Sequence, residues 1–218
     1  MKLYGFSASN YYNAVKHLLL AKGLEFEEVK EYPSQNADYV KIHPLGKVPA
    51  LLTEQGAISE TDIIMEYVDS LAAPHFFPSD PFEKAKCREI MKVAELYIEL
   101  PARRHNNETL IGKPRCDVAY QESRPLMEKG LKALDTLCQS APYLMGDTMT
   151  AADIFVRYAL VVGNMAAVRI YDWKLLDDYP ALKAWNQHMR EDPISQKVDQ
   201  DAQDAMADLK AYFAQFKK

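Results

Sequence analysis

His43-Pro44-Leu45-Gly46-Lys47-Val48-Pro49-Ala50-Leu51-Leu52, with Ile58-Ser59-Glu60-Thr61-Asp62 close behind it, decides how this chain folds. The stretch reads as a loop, a strand entered through a proline, a short turn, a second strand and a helix start. Proline has no N–H, so Pro49 cannot sit inside the ladder of a central strand. If the Val48–Pro49 bond is cis, the chain turns sharply there. The N–H and C=O of Val48 are then left to pair with an extended ligand backbone. The N–H groups around Glu60 and Thr61 open a helix, a ready place for a carboxylate. A peptide-pairing edge beside an anion-binding helix end suits a small acidic peptide.

Working outward, residues 2–6 read as a strand. Residues 10–22 read as a helix with Val15, Leu18 and Leu19 on one face and Gly23 as its stop. Residues 26–30 make a glutamate-rich, partly exposed strand, and 48–53 with 56–58 form a hairpin around Glu54-Gln55-Gly56. Residues 61–71 are helical in pattern, with Ile64, Tyr67, Val68 and Leu71 at core spacing. Strand, helix, three strands, helix is a small α/β unit. Pro74, Pro78 and Pro81, with Ser79 and Asp80, then punctuate a linker. Beyond it the chain is helical in pattern to Lys218, in amphipathic stretches at 83–110, 117–139, 150–170 and 180–190. The expected architecture is an α/β thioredoxin-like N-terminal domain over residues 1–78, a linker over 79–86, and an all-α helical C-terminal domain over 87–218.

Composition narrows the function. The 218 residues carry a formal net charge of −5 and no lysine- or arginine-rich run. Nucleic acid is therefore not an expected partner, because such binding rests on a basic footprint. Cys87, Cys116 and Cys138 form no C-x-x-C pair, and an odd count argues against a disulfide framework. A reducing, cytoplasmic setting follows. The opening residues have no signal-peptide pattern. The longest apolar runs look far too short to cross a bilayer, which needs ~20 residues, so no membrane partner is expected.

Three motifs in order carry a resemblance. Leu3-Tyr4-Gly5-Phe6 leads into Ser7-Ala8-Ser9-Asn10 and then Val15-Lys16-His17-Leu18-Leu19-Leu20-Ala21-Lys22-Gly23-Leu24; the Val-Pro stretch and Ser59-Glu60-Thr61-Asp62 follow; Gly146-Asp147-Thr148-Met149-Thr150-Ala151-Ala152-Asp153-Ile154 comes last. Together they resemble the cytosolic glutathione S-transferase family, in its bacterial, serine-type form, over nearly the whole chain. That resemblance implies an enzyme that binds glutathione as co-substrate, needs no other cofactor, joins the sulfur to a small hydrophobic electrophile, and works as a homodimer. Glutathione-dependent peroxide or disulfide reduction is the enzymatic alternative, and a non-catalytic glutathione-binding interaction protein the other. Residues 1–86 contain no cysteine, so the classes that form mixed disulfides do not fit. The isomerase class carries a Ser-Ser-Cys loop, where this chain reads Ser-Asn-Tyr.

The chemistry needs the glutathione thiol as thiolate, and a free thiol has a pKa near ~8.5. A hydroxyl that donates to the sulfur at a helix N-terminus favours the anion. Ser7, Ser9, Asn10, Tyr11 and Tyr12 stand on the loop where the family places that group. Ser9 falls where the serine-type classes put their hydroxyl, and the Asn10 amide is one residue away. Ser9 is equally suited to a plain helix N-cap.

By the same resemblance, Val48 and Pro49 pair with the peptide, Glu60 takes the γ-glutamyl ammonium, and Thr61 takes the γ-glutamyl carboxylate. Thr61 stands where the family usually has Ser. Lys47 attracts the glycine carboxylate or is an ordinary solvated lysine. Ser59 and Asp62 also match a capping box. Thr150 and Asp153 form a second box, read as a folding element. Tyr97, Pro101, Arg104 and His105 fall near one helix face, where Pro101 removes a hydrogen bond and kinks the helix. That helix borders the family's second-substrate pocket, which makes Tyr97 and Arg104, with Tyr11, the candidates there. His105 reads as solvated.

Overall fold

The computed structural model describes residues 1–139 and 142–216. Residues 217 and 218, the last of the expected helical domain, lie outside the described residues. The chain divides into two compact units, one made of Met1–Phe77 with Asp192–Met206 and the other beginning at Pro78. Residues 192–206, expected in the C-terminal domain, belong instead to the first unit.

The first unit is built on a four-stranded mixed sheet. Its elements are β1 (Lys2–Gly5), α1 (Asn10–Ala21), β2 (Glu27–Lys30), β3 (Ala50–Thr53), β4 (Gly56–Ser59) and α2 (Thr61–Leu71). The spatial order is β2-β1-β3-β4. Strands β1 and β2 run parallel, which requires the α1 crossover, while β3 pairs antiparallel with β1 and with β4. Leu3 and Leu51 face each other in register, both fully buried. Val15, Leu18 and Leu19 close the core from α1. On α2 the buried stripe is Thr61, Ile64, Met65 and Val68. Tyr67 and Leu71 lie off it: Tyr67 donates to Gln55 Oε1 at 3.1 Å, and Leu71 is exposed. The i, i+3, i+4, i+7 spacing holds, but it starts from Thr61 rather than Ile64.

A buried lysine closes this unit at the far end of α2. Lys22 Nζ donates to the Asp69 carbonyl at 3.1 Å, to Asp69 Oδ1 at 3.2 Å, to the Pro74 carbonyl at 2.6 Å, and to the Ala72 carbonyl. Segment α8 (Pro193–Asp204) packs on α1, and Asp192 caps it by accepting from the Ser195 N–H at 2.7 Å.

The second unit is helical. It comprises α3 (Pro81–Ala94), α4 (Leu100–Arg103), α5 (Asp117–Leu137), α6 (Ala151–Tyr171), α7 (Pro180–Glu191) and α9 (Met206–Ala214), whose first residue still belongs to the first unit. Helix α3 starts inside the stretch read as linker. Asp80 caps it, accepting from Phe82 N–H at 2.9 Å and Glu83 N–H at 3.0 Å, and Pro81 takes the first helical position, where a missing N–H costs nothing. Between α3 and α4, Glu95–Glu99 forms a wide turn in which the Leu100 N–H reaches back to the Glu95 carbonyl. The turn lies just ahead of Pro101, which has no donor for the Tyr97 carbonyl, so the break expected at Pro101 takes the form of a π-type turn.

Helix α6 is the core of this unit. Contrary to the expectation from apolar runs, it is long and apolar enough to cross a bilayer, but 78% of that stretch is buried inside the protein. Its capping box forms as read: Thr150 N–H and Oγ1–H both donate to Asp153 Oδ2, at 2.8 and 2.9 Å.

Candidate functional site

The sheet register gathers the N-terminal candidates at one end of the first unit. Tyr4 at the end of β1 pairs with Ala50 at the start of β3, and Ala50 pairs with Ser59 at the end of β4. The Ser7–Asn10 loop, the Val48–Pro49 bond and the Glu60–Thr61 helix start therefore leave the same end of three adjacent strands.

Ser9 is the N-cap of α1. Its Oγ accepts from the Tyr12 N–H at 3.4 Å, long for a hydrogen bond, and the residue is half-buried. A hydroxyl accepts through a lone pair and keeps its proton, so capping leaves the Ser9 O–H able to donate. Asn10 is buried as the first residue of the helix. Asn13 steadies the loop by donating from Nδ2 to the Ser7 carbonyl at 2.8 Å.

The Val48–Pro49 bond is cis, and Pro49 precedes β3, outside the ladder. Among the described residues, neither the N–H nor the C=O of Val48 has a hydrogen-bond partner. The loop before it is pinned from several sides. Tyr39 Oη donates to the Lys47 carbonyl at 2.6 Å, and the Ser34 N–H donates to the Gly46 carbonyl at 2.9 Å. Gly46 is buried at φ +60, with the Ser34 carbonyl where a Cβ would go, so only glycine fits. Lys47 itself is exposed.

His43 is a residue that sequence reasoning missed. It is 2% exposed, and its Nδ1 accepts from the Leu45 N–H at 3.3 Å. Burial pushes its pKa below the ordinary histidine value; the Glu60 carboxylate opposes that and the Lys47 ammonium adds to it. A side chain that accepts from the N–H two residues on is a turn signal of the Asx kind, legible in His-Pro-Leu-Gly had the ring been weighed as an acceptor. Tyr39 left no comparable signal.

Glu60 departs from the capping-box expectation. Ser59 ends β4, and Glu60 is the N-cap of α2 at φ 71, ψ 125, with no side-chain cap bond. The Ser59/Asp62 box does not form. Positive φ is strained for a residue with a Cβ, and such strain is typical of binding sites. The Glu60 side chain therefore does not cap the first-turn N–H groups of α2, which open beside the buried residue Thr61.

The remaining candidates are not drawn into this cluster in the same way. Tyr11 is half-buried on α1. Tyr97 and Arg104 belong to the second unit, both exposed, with Arg104 Nη1 paired to Glu122 Oε2 at 2.8 Å. Pro101 and His105 are buried, so the four do not share a face: the wide turn at Glu95–Glu99 shifts Tyr97 out of phase with Pro101, and α4 ends at Arg103, before Arg104 and His105. His105, expected in solvent, is 2% exposed, with Nε2 2.9 Å from the Tyr171 hydroxyl, and burial lowers its pKa. Burial also pushes the Cys138 thiol up to about 12, which removes it as a nucleophile near neutral pH.

Residues 1–70 match the family model for the glutathione S-transferase N-terminal domain, and residues 62–193 match the model for its C-terminal domain. The chain is 39% identical over 207 residues to a glutathione S-transferase of Pseudomonas putida, covering 94% of both. Among solved structures it is similar to Gtt2 from Saccharomyces cerevisiae, with a TM-score of 0.77 at 23% identity, covering 91% of this chain and 100% of that one. It is also similar to a maleyl pyruvate isomerase, a bacterial Zeta-class protein, with a TM-score of 0.73 at 20% identity, covering 91% and 96%.

Proposed function

The chain belongs to the glutathione S-transferase family, and from that premise we propose that it activates the glutathione thiol for attack on a small hydrophobic electrophile. The observation that carries this reading is the start of α2 at a positive-φ Glu60 whose side chain does not cap it, with the unpaired peptide of Val48 on the same sheet end as Ser9. A γ-glutamyl carboxylate suits the N–H and hydroxyl of Thr61 at the helix start, and its ammonium suits Glu60. The cysteinyl backbone pairs with Val48, and the glycine carboxylate faces Lys47.

With the tripeptide so held, the Ser9 hydroxyl donates to the sulfur, with the Asn10 amide as the nearby alternative donor. The thiol proton leaves to solvent, the thiolate attacks the electrophilic carbon, and the leaving group departs with its bonding pair. Lowering the thiol pKa and holding both reactants together are the two sources of rate. On the first unit Tyr11 is the proposed contact for the electrophile; the family resemblance gives Tyr97 and Arg104, on the second unit, the same role. A homodimer and a cytoplasmic setting, suited to three free thiols, complete the proposal.

The test is a glutathione titration by calorimetry on wild type and Ser9→Ala, with the bound thiol's pKa read by ultraviolet absorbance. Binding in both, with a depressed thiol pKa lost only in Ser9→Ala, supports the activated-thiolate mechanism. Binding with an ordinary thiol pKa in wild type makes this a glutathione-binding module. Turnover of a hydroperoxide in preference to an aryl halide favours the reductive alternative. Absence of binding overturns the roles given to Val48, Glu60 and Thr61.

A further inference from the structure

We propose that Tyr12 positions the Ser9 hydroxyl, and that a hydrogen-bonded and ion-paired chain running Tyr12–Glu28–Lys16–Asp201 makes that positioning depend on the distant segment 192–206. The inference rests on the Ser9 reading above and deepens it.

Tyr12 ties the first turn of α1 to its surroundings at three points. Its N–H is the donor that holds Ser9 Oγ, at 3.4 Å. Its ring lies over Gly5, the last residue of β1, so closely that a Cβ on Gly5 would overlap the ring at Cδ2. Its hydroxyl donates to Glu28 Oε2, on β2, at 2.5 Å. The side chain is 2% exposed, and burial, with Glu28 beside it, pushes its pKa far up. The phenol therefore stays protonated as a donor and is not a base. What it supplies is a fixed place for the first turn of α1 against two strands.

The anchor does not end at Glu28. Lys16, one turn further along α1, donates to the same Oε2 at 2.7 Å and reaches Asp201 Oδ2 on α8 at 2.8 Å. Lys197 closes the chain on Asp201 at 2.9 Å. The Lys16 side chain is only 3% exposed, and its ammonium is paired with both carboxylates. Removing one leaves a buried cation partly uncompensated. Asp192, at the other end of the segment, faces His17 at 3.8 Å. The helix that carries Ser9 is thus clamped by residues nearly two hundred positions away in sequence.

The Ser9 contact is long, so the direction of its hydroxyl follows small shifts of α1, and a donor moved off the sulfur loses much of its effect on the thiolate. Glutathione's own contacts, at Val48, Glu60 and Thr61, lie on other elements. Loosening the clamp should therefore weaken thiol activation and spare glutathione affinity.

The experiment uses full-length Tyr12→Phe, Asp201→Asn, Ser9→Ala and the Tyr12→Phe/Ser9→Ala double variant, each checked for a native circular-dichroism spectrum. The readouts are glutathione Kd, the bound-thiol pKa, and kcat against pH with an activated aryl chloride. The expected result for Tyr12→Phe and Asp201→Asn is a Kd within about twofold of wild type, and a kcat profile displaced upward by about one pH unit, a tenfold loss near neutrality that is recovered at high pH. In the Ser9→Ala background Tyr12→Phe should add nothing. Unchanged pH profiles in both single variants, a loss of affinity equal to the loss of kcat, or an undiminished effect in the double variant overturns the proposal. A wild-type thiol with an ordinary pKa overturns the Ser9 reading itself, and the positioning role with it; a depressed wild-type pKa beside unmoved variants overturns the positioning role alone.

Discussion

Trp185 Nε1 donates to Asp153 Oδ1 at 2.8 Å, tying α7 to the start of α6. Asp153 is fully buried and also accepts from the Leu144 N–H at 2.8 Å, while its other oxygen takes both Thr150 donors. One carboxylate thus joins the loop before α6, the helix cap and α7. Replacing Asp153 with Ala leaves four buried donors unpaired and should cost about 3–5 kcal/mol. Urea denaturation checks it, and a loss below about 1 kcal/mol would show that water takes over the donors.

How much of this was legible beforehand varies by element, for physical reasons. Thr150-Ala151-Ala152-Asp153 reads directly as a capping box because its bonds are local. That Trp185 shares the same carboxylate was hidden, since nothing in a sequence records a contact across 32 positions. Pro49 and the helix start at Glu60 and Thr61 marked the candidate end of the sheet through backbone chemistry alone. Ser59-Glu60-Thr61-Asp62 misled as a capping box, because the pattern cannot show that Glu60 takes positive φ. Pro81 was read as linker punctuation, although proline serves equally well in the first turn of a helix. The return of residues 192–206 to the first unit is made by the packing of α8 on α1 and by the Lys16–Asp201 ion pair, long-range contacts with no local pattern.

Lys22 makes a second stability prediction. Its ammonium is directed at Asp69 and at the carbonyls of Ala72 and Pro74, while Asp69 also accepts from the N–H groups of Phe76 and Phe77 at 2.7 and 3.1 Å. Lys22→Met strands a buried carboxylate and should cost about 3 kcal/mol or more. Lys22→Arg should not restore it, because a planar fork cannot aim at oxygens converging on one point. Thermal melts of the two variants distinguish charge from geometry.

Acid sensitivity follows from His43 and His105. Burial lowers both pKa values, so the folded protein holds each ring neutral where the unfolded chain, at about 6.5, begins to take a proton. Their contribution is full above that value and is lost as the pH falls toward the folded pKa, at up to about 1.4 kcal/mol per pH unit for each. His43→Asn keeps an acceptor for the Leu45 N–H, and His105→Gln keeps a donor for Tyr171. Denaturation midpoints between about pH 7.5 and pH 5 should therefore fall less steeply in the double variant than in wild type. Parallel slopes would place the acid sensitivity elsewhere.

Glu60 sets stability against binding. At φ 71 its backbone is strained, and glycine adopts that conformation without a Cβ penalty. Glycine costs more entropy on folding, which offsets part of the relief. Glu60→Gly should therefore melt at or above the wild-type temperature, with a change between zero and about +1 kcal/mol. The same substitution removes the carboxylate proposed for the γ-glutamyl ammonium, so glutathione affinity should fall by about tenfold or more. Glu60→Ala separates the two effects: it loses the carboxylate but keeps the strain, so it should match Glu60→Gly in affinity and fall below it in stability. Calorimetry and melting on the three proteins decide the matter. Equal stability of the Ala and Gly variants would mean that Glu60 carries no strain, and wild-type affinity in either would remove it from the glutathione site.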